Sequence, residues 1–184
     1  MSKRALIVID VQNDYFPGGK WELHNIEASA ANAVRVLENA RANGETVIHV
    51  RHESVEDNAP FFAPGSFGAE FHSTAKPQAG ELEVLKHHVN SFKETNLKQL
   101  LDERGITDVT IVGDMSHMCI DAATRAAADY GYVVTVVEDA CSSRDLEFNG
   151  EIIPAANTHK AYMSALGFAY ATITTTSEYV AANG

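Results

Sequence analysis

The hydrophobic pattern changes period repeatedly along the chain, and each change marks an element. Residues 5–11, Ala-Leu-Ile-Val-Ile-Asp-Val, are an almost unbroken apolar run of strand length. Residues 28–43 carry apolar side chains at Ala30, Val34, Leu37 and Ala40, the spacing of one helix face. A β-branched run follows at 46–51, so the chain opens β-α-β. Beyond it the pattern predicts a short strand at 83–86, a helix at 96–104 closed by Gly105, a strand at 109–112, an Ala-rich helix at 120–130 closed by Gly131, and a strand at 133–138. A helix at 159–169 and a strand at 171–176 end the series. Strands alternating with helices imply a mostly parallel sheet with helices on both faces, and strands apolar throughout fit burial on both sides. The fold class expected is therefore α/β: one three-layer α/β/α domain spanning residues 1–184, long enough for a full core. Residues 53–80 interrupt the alternation with Pro60, Pro64, Pro77, Gly65 and Gly68. A stretch this long without pattern, in a compact domain, is usually a lid or binding loop.

Composition narrows the partners. A formal charge of -11, with pI near 5.1, is the wrong sign for displacing counterions from nucleic acid, so no nucleic-acid surface is expected. The opening Met1-Ser2-Lys3-Arg4 leads into an apolar run too short for a signal-peptide core or a membrane span, and the expected location is cytoplasmic. In that compartment Cys119 and Cys141 are expected to be free thiols. The partner expected is a small molecule.

In open parallel sheets ligands bind in the crevice outside the carboxyl ends of the strands. Asp10 lies at that end of the first strand, Arg51 and His52 at the second, Lys86 at the third, and the turn from Asp114 to Cys119 follows the fourth. A carboxylate, an ammonium and a thiol converging there suit nucleophilic catalysis, because the carboxylate can accept the thiol proton while the ammonium lowers the thiol pKa. Cys119 at the mouth of a helix would gain further from unpaired amides and the helix dipole, which stabilise a thiolate and can also bind an oxyanion. Cys141, with no basic residue near it in sequence, reads as a packing residue. Gln12 falls on the same side of a strand as Asp10 and is a candidate to orient it or touch substrate. Phe16, Trp21 and Phe62, in loops that overhang the strand ends, are candidates to line the pocket. His52 and His117 are candidates to hydrogen-bond a substrate oxygen or amide. No metal and no cofactor is expected, because His49, His52, His87, His88 and His117 show no dedicated ligand spacing.

Three segments together carry a resemblance. Residues 5–16, ALIVIDVQNDYF, residues 86–92, KHHVNSF with Thr95 and Leu97 after them, and residues 113–119, GDMSHMC, resemble the signature segments of the isochorismatase-like cysteine hydrolases, the Rossmann-like superfamily that includes nicotinamidases and N-carbamoylsarcosine amidohydrolases. The resemblance implies a catalytic triad of Asp10, Lys86 and Cys119, and a cis peptide between Asp114 and Met115 that frees the Met115 amide to form an oxyanion hole with the Cys119 amide. It implies homodimers or homotetramers. It also implies a reaction: hydrolysis of an amide, imide or ureide C–N bond through a thioester on Cys119. Where metal-dependent nicotinamidases carry Asp-x-His, this chain has Arg51-His52-Glu53, so that branch is the alternative. A second alternative is a catalytically silent binding protein. Asp114 stands where the resemblance leads one to expect an apolar residue, and an unpaired carboxylate there would raise the Cys119 pKa by repulsion.

Overall fold

The first apolar run forms β1 (Arg4–Ile9), and its alternating side chains build two cores at once. Ala5, Ile7 and Ile9 pack on one face of the sheet, and Leu6 and Val8 on the other. This is why the run reads as apolar rather than alternating. The computed structural model describes residues 3–56 and 58–184; Met1, Ser2 and Asp57 lie outside the described residues. In chain order the further elements are α1 (Ile26–Ala42), β2 (Thr46–His52), β3 (Leu82–Lys86), α2 (Leu97–Glu103), β4 (Asp108–Asp114), α3 (Asp121–Asp129) and β5 (Val133–Ser142). A hairpin of β6 (Leu146–Phe148) and β7 (Glu151–Ile153) follows, then α4 (Ala155–Ala169), β8 (Thr172–Thr174) and α5 (Thr176–Asn183).

The six strands of the main sheet are all parallel, in the order β3-β2-β1-β4-β5-β8. Leu97 and Leu101 of α2, Ala123 and Ala127 of α3 and Met163 of α4 cover one face. The buried side of α1 and Tyr179 of α5 cover the other, which completes the three layers. Order reverses between β1 and β4: the chain winds outward to β2 and β3, then returns to the centre and winds the other way. That reversal opens a crevice at the carboxyl ends of the two central strands. No helix among the described residues is long and apolar enough to cross a membrane.

Several expectations need correction. β5 runs to Ser142 rather than stopping at residue 138, because its register against β4 slips between Ile111 and Gly113 and then resumes at Gly113–Cys141 and Asp114–Ser142. On α1, Val34 is only half-buried and Ala33 and Val36 fill the core instead; the helix also starts two residues earlier than its apolar spacing suggested. α4 starts directly after Pro154, four residues before the expected His159. The last strand is only Thr172–Thr174, and Thr175 caps α5 with a reciprocal pair of hydrogen bonds to Glu178. The β6–β7 hairpin turns on Asn149-Gly150, both with positive φ, as a tight hairpin turn requires.

Candidate active site

Strand register brings the site together. His52 and Lys86 are paired positions at the ends of β2 and β3, and Ile9 pairs with both Val50 and Gly113, so the residues that follow β1 and β4 lie side by side. Asp10 leaves β1 in the left-handed region (φ 54°) with its amide hydrogen-bonded to Val50 O at 2.9 Å. Aspartate tolerates that region better than most residues. Lys86 is fully buried, and its Nζ lies 2.8 Å from Asp10 Oδ2, 2.9 Å from His52 Nδ1, 3.3 Å from Cys119 Sγ and 3.2 Å from His88 O. The ammonium is the hub: among the described residues it alone touches the carboxylate, the thiol and the imidazole.

Charge follows from this packing. Burial pulls the Lys86 pKa down, but Asp10 and Cys119 together outweigh it and hold the ammonium above its ordinary range. Burial, and next the Asp10 carboxylate, push the Cys119 thiol well up against the opposing pull of Lys86. The expected low-pKa thiolate at a helix mouth is thus not what the fold builds. Cys119 is 3% exposed and sits in a π-helical turn (Ser116–Ile120) that precedes α3, so desolvation dominates the dipole. Cys119 is thus held as a thiol with the Asp10 carboxylate beside it.

The turn before Cys119 has the cis peptide that the resemblance implies, between Asp114 and Met115. The Met115 amide has no acceptor among the described residues. Gly113 is required for contact reasons: a Cβ there would lie 2.0 Å from Ile9 O. Asp114 is buried but paired, its Oδ1 accepting from Ser142 N at 2.9 Å and Ser142 Oγ at 2.6 Å. Burial raises its pKa to about 7. It heads the charges acting on Cys141. Ser142 at the end of β5 thus holds the Asp114 carboxylate.

The other candidates separate into distinct roles. Gln12 is fully buried and spends its amide inside the protein: Nε2 donates to His52 O and Ala69 O, both at 2.7 Å, and Oε1 accepts from His52 N at 2.8 Å. It braces the end of β2 and offers a ligand no free N–H. His117 is 8% exposed and bonds Ser143 Oγ through Nδ1 at 2.8 Å. Phe16 stacks on His72 at 3.5 Å between ring centroids, and Trp21 lies between Phe61, at 4.6 Å, and the Arg144 guanidinium, at 4.1 Å. Phe62 lies 6.0 Å from the His52 ring and 4.7 Å from Tyr15. It is held in the left-handed region (φ 53°) by its amide, which donates to Asp14 Oδ2 at 2.7 Å. Asp14 also accepts from Lys20 N at 3.1 Å, so one buried carboxylate ties two loops over the strand ends. Sequence reasoning missed Asp14.

Asp10, His52 and Cys119 offer metal-ligand atoms within 4.8 Å of one another. The donor set does not fit a cation, because the Lys86 ammonium already stands in contact with all three. At the end of β2, Glu53 is likewise engaged, by Arg51 and by Gly65 N, each at 3.1 Å.

Comparison with known proteins agrees with this geometry. The isochorismatase domain model matches residues 4–178. The isochorismatase family protein YddQ of Bacillus subtilis is 45% identical over 176 residues, 96% of this chain and 98% of that protein. A crystal structure of an isochorismatase-type protein from Oleispira antarctica is 51% identical with a TM-score of 0.94, over 97% of this chain and 96% of that one. The ureidoacrylate amidohydrolase RutB of Caulobacter segnis is 29% identical over 177 residues, 78% of this chain and 74% of that protein.

Proposed function

The chain belongs to the isochorismatase family, and on that premise we propose that it is a cysteine hydrolase that cleaves a small-molecule amide, imide or ureide C–N bond through a thioester on Cys119. The observation that carries this reading is the buried contact of one ammonium, Lys86, with both a carboxylate, Asp10, and a thiol, Cys119. A structural ion pair has no use for the thiol. A nucleophile has use for both neighbours.

Asp10 takes the proton from Cys119 Sγ as the sulfur attacks the carbonyl carbon, and Lys86 offsets the negative charge that passes through the cluster. The carbonyl electrons move to oxygen, where the amides of Met115 and Cys119 receive them. Removing one such donor costs on the order of 3 kcal/mol in comparable sites. Collapse of that intermediate breaks the C–N bond, and Asp10 returns the proton to the departing nitrogen. Water then attacks the thioester with Asp10 again as base, and the thiol is restored with that proton. Burial suits this sequence, since each charge forms next to its partner in a low-dielectric site. The amidohydrolase relative supports an amide-class substrate, and the ammonium among the would-be ligands argues against the metal-dependent alternative.

Release of ammonia or amine from a panel of small amides, ureides and imides tests the reading. Turnover of the wild-type protein is expected to fall by about a thousandfold or more in Cys119→Ala and to be unchanged by chelator. Unchanged turnover in Cys119→Ala would remove Cys119 from the mechanism. Loss with chelator would restore the metal-dependent alternative.

A further inference from the structure

The turn that carries Cys119 is held from the end of β5 almost residue by residue. Asp114 Oδ1 accepts from Ser142 N and Ser142 Oγ, the Ser116 hydroxyl lies 2.9 Å from Ser142 O, and His117 Nδ1 lies 2.8 Å from Ser143 Oγ. One further hydrogen bond comes from the helix layer. His159, in the first half of α4, places Nδ1 2.7 Å from Ser116 Oγ, and among the described residues it is the one α4 residue that hydrogen-bonds this turn. On its other side, His159 Nε2 lies 3.1 Å from Glu138 Oε2 of β5.

Hydrogen accounting fixes the direction of this chain. A carboxylate only accepts, so Nε2 of His159 carries a hydrogen. With the ring neutral, Nδ1 presents a lone pair and the Ser116 hydroxyl donates to it. With the ring charged, Nδ1 donates to Ser116 Oγ and the hydroxyl turns its own hydrogen to Ser142 O. Ser116 is bound in either state. Serine, histidine and glutamate in this order are also the set of a serine hydrolase, but Ser116 is fully buried, lying in sequence between the cis peptide and Cys119, and is closed to a substrate carbonyl. A chain that ends three residues from the thiol and cannot itself be acylated has its use in holding the turn.

We propose that His159 is a positioning residue for the nucleophile: oriented by Glu138, it holds Ser116 and so keeps the turn closed, with Cys119 Sγ against Lys86. The inference rests on the reading of Cys119 as nucleophile, but its test uses no turnover, so the turnover of Cys119→Ala bears on that reading alone.

The test is the rate at which iodoacetamide alkylates each cysteine of the full-length protein at about pH 8, followed by intact mass and assigned by peptide mapping. Cys119 is 3% exposed and Cys141 6%, so the reagent reaches either thiol only when its surroundings open, and the rate reads that opening. Cys141 stands opposite Gly113 in the β4–β5 ladder, donates to Val137 O and bonds neither Ser116 nor His159, which makes it an internal reference for opening of the sheet. His159→Leu and Ser116→Ala are each expected to speed alkylation of Cys119 tenfold or more while Cys141 stays within threefold. The double variant should be no faster than the faster single one, because His159 acts through Ser116. His159→Asn, whose amide lies where Nδ1 does, should keep Cys119 within threefold of wild type. His159→Gln, whose amide lies where Nε2 does, keeps only the Glu138 contact and should behave as His159→Leu. An unchanged Cys119 rate in His159→Leu, a parallel rise at both cysteines, additive effects in the double variant, or a better rescue by Gln than by Asn would overturn the proposal.

Discussion

Gly113→Ala is expected to leave little folded protein. Gly113 lies in β4 at the centre of the sheet, with φ 115°, a region that L side chains rarely adopt, and an added Cβ would lie 2.0 Å from Ile9 O and 2.8 Å from Ile9 C. Those atoms are backbone of β1, whose own ladders to β2 and β4 hold it on both sides, so neither strand can yield. Backbone strain and overpacking together place the loss at more than about 4 kcal/mol, beyond what a marginally stable domain tolerates. Soluble yield and thermal midpoint check this against Gly18→Ala. Gly18 also has positive φ, 84°, but nothing stands within 4 Å of its added Cβ, so that change should cost about 1 kcal/mol. A Gly113→Ala protein that melts within a few degrees of wild type would contradict the close approach of β1 and β4.

Lys86→Met carries the second large effect, and it acts on activity and stability together. The fully buried ammonium is the ion-pair partner of Asp10 and the one cation within hydrogen-bond distance of Cys119 among the described residues. Removing it leaves Asp10 as a buried carboxylate facing a thiol, a change of about 3–5 kcal/mol where one member of a buried pair is deleted. The same change raises the barrier to thiol attack, because no cation remains to offset the charge, and turnover should fall by about a thousandfold or more. The stability arm has an internal control. Asp10→Asn combined with Lys86→Met removes both charges, so the double variant should be more stable than Lys86→Met alone, with turnover equally lost. Strictly additive destabilisation would mean that the two groups are not coupled.

How much of this was legible in the sequence depends on the kind of signal. β1 and the first half of β4 announced themselves because strands buried on both faces read as plain apolar runs, and the strand-end rule then gave Asp10, Lys86 and Cys119 an edge to share. The turn chemistry of Asn149-Gly150 and the Thr175-x-x-Glu178 cap were also written in the chain, but they lay beside β-branched and apolar residues that mimic other elements. Nothing local could show that β5 continues past a register slip to place Ser142 under Asp114, so the pairing of that carboxylate was invisible. The thiol pKa was read in the wrong direction for a related reason. Helix position is a local property, whereas burial depends on the whole fold, and here burial is the larger influence. Gln12 illustrates the same limit: its alternation with Asp10 was readable, but its service as a brace for β2 requires Ala69 and His52 to be brought to it.

The central claim is that Cys119 attacks a carbonyl after giving its proton to Asp10, and the most direct measurement is the intact mass of protein acid-quenched during turnover of an active amide. The account predicts a fraction of the protein heavier by the acyl group, mapped to the peptide that contains Cys119, absent in Cys119→Ala, and removed by hydroxylamine as a thioester is. Turnover that proceeds with no adduct at any quench time, or an adduct that persists in Cys119→Ala, would contradict it.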